Sequence, residues 1–185
     1  MAKDNVPIEG PLNSEQGIFF YRHVNECFMK DGGVHPSAFA SGYDAARPGD
    51  GCSVDVNTLS SSWKTRVVLG LMRKRAKGAP EGTLTGDYKD PSKFLLFKVD
   101  AEALQQVVDE QGAKAVKEIV SDPSNPNPPY ANGRPKNLAH CLIRPTSQRG
   151  IMALWKAAVA VEPCPVIVGL DRLREYTSRH QAPSY

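Results

Sequence analysis

Paired cysteines are missing from this chain. Its four cysteines, Cys27, Cys52, Cys141 and Cys164, lie far apart and form no C-x-x-C, which argues against a zinc ribbon or a dithiol redox site. Long apolar runs are missing too. None approaches the roughly 20 residues of a membrane-spanning helix, so no membrane partner is expected. There is no H-E-x-x-H and no H-x-x-x-H, so spacing gives no support for a metal site. G-x-x-x-x-G-K-[ST] and G-x-G-x-x-G are absent, which excludes a P-loop and argues against a Rossmann dinucleotide site. G-x-S-x-G is absent, so the nucleophile elbow of acyl hydrolases has no counterpart. No cofactor is implied. The first residues, MAKDNVPIEGPLNSEQG, hold no apolar core and do not read as a secretory signal. With scattered thiols, this points to a cytoplasmic protein.

What is present is an ordinary globular composition over 185 residues, 41% hydrophobic and 23% charged, long enough to bury a core of its own. The net charge of +3 hides a pattern. Residues 56–80 carry six basic residues (Lys64, Arg66, Arg73, Lys74, Arg75, Lys77) and no acid. Residues 123–161 carry five more (Arg134, Lys136, Arg144, Arg149, Lys156) and again no acid. The rest of the chain is net acidic. If the two acid-free segments meet in the fold, they make a positive face that attracts phosphates or an acidic partner. The bland alternative is a solvated helix face.

Residues 1–16 are short of apolar side chains and read as a loose arm. The β-branched and aromatic run Ile18 to Val24 reads as a first strand, and the alternating Cys52 to Val56 as a second. A helix capped by Ser60, Ser61 or Ser62 carries Trp63, Val67 and Leu71 on one stripe and is expected to run through Lys77 to Gly78 and Pro80. Residues 78–92 read as a long loop. Lys93 to Val99 is an apolar strand. Asp100 caps a helix with Leu104, Val107 and Val108 inward, ending at Gly112. Strands follow at 115–120 and, after a loop with five prolines at 122–135, at 137–144. Thr146 or Ser147 caps a further helix bearing Ile151, Leu154, Trp155 and Ala158. Residues 165–169 suggest a last strand, and 171–185 a polar tail. Irregular mixing of strands and helices predicts a single α+β domain over 17–170, with a mixed sheet of five or six strands and about three helices.

Several polar residues sit at strand positions. Arg22 and His23 close the first strand; His35 and Ser37 follow a Gly-Gly turn. Ser53 and Asp55 share one face of the second strand, because side chains alternate. His140 lies in an apolar strand beside Cys141, which the same alternation sends to the opposite face. An arginine clamps phosphate bidentately and an imidazole moves protons near neutral pH. The expected ligand set is therefore Arg22, Ser37 and Ser53, with Arg73 and Arg134 supplied by the basic segments; His140 and His35 are the candidate catalytic groups. The structural alternative makes His140 a core histidine satisfied by one backbone carbonyl, His23 and His35 solvated strand ends, and the cysteines small buried hydrophobes.

The segments YRHVNECFMKDGGVHPSAFASG, CSVDV and NLAHCLIRP resemble those of a loose group of small bacterial proteins. These share an early-strand Arg, a D-G turn, a Ser-Ala-Phe segment, a Ser-Val strand and a late His after an Asp-Pro-rich loop. The resemblance implies no particular reaction, but it falls on Arg22, Ser37, Ser53 and His140. The chain is also similar to ADP-ribosyltransferase-like toxins in having an early-strand Arg and a Ser-centred strand, where Arg22 and Ser53 would stand; their E-x-E does not occur here.

The leading expectation is a soluble protein of bacterial or phage type that binds an anionic, phosphate-bearing, nucleotide-like ligand, with His-assisted transfer or cleavage as its chemistry if it is an enzyme. One alternative is a non-catalytic interaction protein (immunity, adaptor or phage accessory factor) that docks an acidic partner. Another is a nucleic-acid binder that uses a basic helix over 60–77.

Overall fold

The computed structural model describes residues 17–31, 33–35, 38, 51–75, 77, 84–122, 135–145, 150, 152 and 170–181. The expectations for the 1–16 arm, the helix after Thr146, the strand at 165–169 and the proline loop interior lie outside these residues.

The strands are β1 (Phe19–Asn25), β2 (Met29–Lys30), β3 (Gly33–Val34), β4 (Cys52–Val56), β5 (Arg73–Arg75), β6 (Leu84–Tyr88), β7 (Phe94–Asp100), β8 (Val116–Ser121) and β9 (His140–Pro145). Helices α1 (Ser62–Gly70), α2 (Ala101–Gln106) and α3 (Leu170–His180) complete the α+β fold. Five strands form the main sheet in the order β7-β1-β4-β9-β8. Every pairing in it is antiparallel, so the mixed sheet that the sequence allowed has no parallel member among the described strands. Two small antiparallel pairs, β2-β3 and β5-β6, stand apart from it. No helix among the described residues is long and apolar enough to cross a membrane.

Alternation gives the sheet two unlike faces. Phe20, Val24, Cys52, Val54, Phe97 and Cys141 point to one side and are buried with Leu104 of α2 in the first core. Leu104 is the one buried residue of α2. Asp100 caps α2 by accepting from the Ala103 amide. The helix stops at Gln106 and does not reach Gly112. There the Asp109 carboxylate accepts from the Gln111 and Ala113 amides and makes a turn instead, with Gly112 at φ +78°. Such local bonds compete with helix, and Val108, expected inward, is exposed.

α1 covers the opposite face. Ser61 caps it through the Lys64 amide, and Val67 and Leu71 pack on Leu173 of α3 in a second, smaller core. The helix ends seven residues before Lys77. Its apolar stripe runs out at Leu71, and Arg73–Arg75 pair with β6 instead. Arg73 donates to the Gly86 carbonyl and lies over the Tyr88 ring. The segment 78–92, expected as loop, therefore supplies β6 and a 3-10 turn, Pro91–Lys93. The basic helix expected over 60–77 is cut short at Gly70, so Arg73, Lys74 and Arg75 fall outside it, and Arg66, one of its cations, is buried.

The polar tail is a second correction. Residues 170–180 form α3, whose Leu173 is 1% exposed against α1. Leu170, Leu173 and Tyr176 among mostly charged residues are too little apolar signal to mark it. Gly70 is the contact point: a Cβ there would come within 2.7 Å of Thr177 Cγ2, and Gln181 donates to the Gly70 carbonyl.

Candidate functional site

The face under α1 carries polar groups in its middle, where a sheet covered by a helix ordinarily carries hydrophobes. β4 and β9 pair with Asp55 directly opposite His140, and β1 pairs with Tyr21 opposite Asp55. These side chains therefore share the α1 side. Asp55 is 7% exposed. Its Oδ2 accepts from the Thr65 hydroxyl of α1, and its Oδ1 accepts from Asn137 Nδ2 at 2.7 Å. Asn137 is itself fixed by the Ala139 amide, which donates to its Oδ1. Burial pushes the Asp55 carboxyl above the usual carboxylate range, while the Asn137 hydrogen bond and the charges of His140 and Lys64 pull the other way. Residues from β4, α1, the lead into β9 and β9 itself thus converge on one buried carboxylate.

His140 is held from the other side. Its Nδ1 lies 2.7 Å from the Asp122 main-chain oxygen and 3.2 Å from Asp122 Oδ2, at the end of β8. The His140 side chain is 12% exposed. Its neighbour Cys141 faces the first core, as alternation requires, and burial raises its thiol above the ordinary range. A thiol-imidazole pair is thereby ruled out at these two positions.

The expected site residues divide. Ser53 and His140 lie on the α1 face. Arg22 does not join them: it alternates with Phe20 and Val24 and pairs with Phe97. Its guanidinium donates to the main-chain oxygens of Ser53 (2.8 Å) and Ala38 (2.7 Å). β1 and β4 pair over only two positions, and Arg22 satisfies a carbonyl just beyond them. This is a tie across diverging strands, and the convergence of Arg22 with His140 is overturned. His35, just after β3, is exposed. Arg73 is committed to the β5-β6 pair. Ser37 and Arg134 lie outside the described residues.

Two further expectations change. His23 is not a solvated strand end. It faces the α1 side, its Nε2 is buried without a hydrogen-bond partner, and its ring meets Phe94 edge-on. Burial, then the charges of Arg66, Lys89 and Arg22, lower its pKa from 6.5 to about 3. Cys52 and Cys141 are buried as expected, but Cys27 is exposed.

Sequence reasoning missed Thr65, Asn137 and Asp122. Thr65 bore a weak signal, a polar residue beside the apolar stripe of a helix. Asn137 and Asp122 bore none, since both act from the ends of the proline loop. Asp55 was placed on the face of Ser53, but no partner was assigned to it.

A buried carboxylate, an imidazole with a second carboxylate, and hydroxyl and amide donors can bind a polar group and move a proton. Among the described residues no cluster of three His, Cys, Asp or Glu side chains is placed to hold a metal ion. In comparisons with known proteins, the chain matches no family model, no curated protein and no solved structure.

Proposed function

We propose that the protein binds a small phosphate-bearing, nucleotide-like ligand beside His140, and that His140 transfers a proton in a cleavage or group-transfer step there. The observation that carries this is where the two acid-free segments meet. Thr65 comes from the first, Asn137 and His140 from the second, and all three surround Asp55. Lys64 is near enough for its charge to act on the same carboxyl. A buried polar cluster of this kind is expensive for stability, and buried polar groups with shifted titration concentrate at functional sites.

The test is a thermal-shift panel of nucleotides and sugar phosphates on the full chain. Free ligand at 100 times its Kd stabilises the folded state by about 2.7 kcal/mol, which raises Tm by several degrees. The rise is expected in the wild type and should be reduced in His140→Gln. A wild-type protein that shows no rise with any member of the panel refutes the proposal.

A further inference from the structure

We propose that Asp122 is a positioning residue for His140, and that Nε2 is the atom through which His140 works. This rests on the function proposed above. Asp122 holds His140 in three ways. Its amide donates to the His140 carbonyl at 2.9 Å, its own main-chain oxygen lies 2.7 Å from Nδ1, and its Oδ2 lies 3.2 Å from the same nitrogen.

A carbonyl oxygen can only accept a hydrogen bond. The nitrogen facing it at 2.7 Å must therefore carry the proton in the neutral ring. The lone pair is then on Nε2. One carbonyl would suffice to satisfy a merely structural histidine. Here a carboxylate stands beside the same N–H, and its attraction grows when the ring gains charge. In the step assigned to His140, the Nε2 lone pair forms a new N–H bond. The O–H bond of a ligand hydroxyl or a bound water breaks and leaves its electron pair on that oxygen. The Nδ1 proton stays in place, and Asp122 faces the imidazolium so formed. Among the described residues, Asp55 of β4 stands opposite His140 and is committed to Thr65 and Asn137, and Lys64 of α1, whose charge acts on Asp55, donates its Nζ to the Leu59 carbonyl. Neither is recorded in contact with Nδ1.

The test needs no ligand. Full-length protein labelled with 15N-histidine is examined by NMR at about pH 9, above the ordinary histidine range, with the His140 signals assigned by their loss in His140→Gln. The expected spectrum shows Nδ1 protonated and Nε2 bare, with a downfield, slowly exchanging Nδ1 proton. In Asp122→Ala the tautomer is retained, because the main-chain oxygen remains, but the proton signal moves upfield and exchanges faster. Asp122→Asn, which keeps an acceptor and is the variant of choice should alanine unfold the chain, restores part of the downfield position. A wild-type ring protonated on Nε2 overturns the proposal, as does an Asp122→Ala signal that stays where it was. An expected spectrum combined with a blank thermal panel refutes the ligand and leaves the positioning intact; the reverse combination refutes the positioning alone.

Discussion

Acid should destabilise this protein through His23 in a way that can be isolated. The folded state holds this imidazole neutral, with a pKa near 3 in place of 6.5, chiefly because it is buried and secondarily because Arg66, Lys89 and Arg22 are close. The unfolded chain has no such constraint. As pH falls below 6.5, the unfolded state takes up a proton that the folded state refuses, so stability present at high pH is lost through the window from 6.5 towards 3. At pH 5 the unfolded imidazole is about 97% protonated and the folded one about 1%. The difference amounts to about 2 kcal/mol, roughly a 30-fold change in the folding equilibrium. This figure barely depends on the folded value, provided that it lies well below 5. The assay is urea unfolding of wild type and His23→Phe at pH 8 and pH 5. All other titrations are common to both proteins, so the wild type should lose about 2 kcal/mol more than the variant on acidification. His23→Leu serves if phenylalanine crowds Phe94. Equal losses in wild type and variant would show that the ring titrates freely, and the argument for its burial would fall.

Asp55→Asn should stabilise the fold at neutral pH, since an amide can accept from Asn137 and donate to Thr65 without a buried charge. The wild-type carboxyl is raised, so its stability is fully present below 3.8 and declines as pH rises from there; in urea titrations the advantage of the variant should therefore vanish in acid. Arg22→Ala removes two charge-assisted bonds and should destabilise by about 3 kcal/mol in chemical unfolding, with no selective effect on ligand binding. A loss below about 0.5 kcal/mol would mean that those carbonyls find water instead. Leu173→Ala should cost about 2–5 kcal/mol if α3 belongs to the folded unit, whereas a mere tail would show no change in Tm. At Gly51 a Cβ would meet the Ile143 main-chain oxygen at 2.7 Å; backbone cannot yield as a side chain can, so Gly51→Ala should destabilise by about 1–3 kcal/mol in the same unfolding assay.

Strand positions were legible because alternation and β-branching are local. Cys52–Val56 falls where its pattern puts it, and the first strand is displaced by a single residue. The N-caps at Ser61 and Asp100 were legible for the same reason, since one side chain reaching three residues ahead is a local bond. Helix ends were less so, because they depended on distant competitors. Arg73–Arg75 left the helix for a ladder with residues 84–88, and α3 gained its place by packing on Val67 and Leu71, about a hundred residues earlier.

The sequence by itself determined the α+β class, the shared face of Ser53 and Asp55, the opposite facing of His140 and Cys141, and the two acid-free segments. Each follows from spacing along a few residues or from a count. Tertiary structure alone decided that β4 lies between β1 and β9, and that order sets Asp55 against His140 while it sends Arg22 to the other side of the sheet. A strand's period of two fixes which side chains share a face, but not which strand comes to lie alongside it. That choice is made by apolar surface gathered from the whole chain, and the polar cluster beneath α1 is where the choice leaves its chemistry.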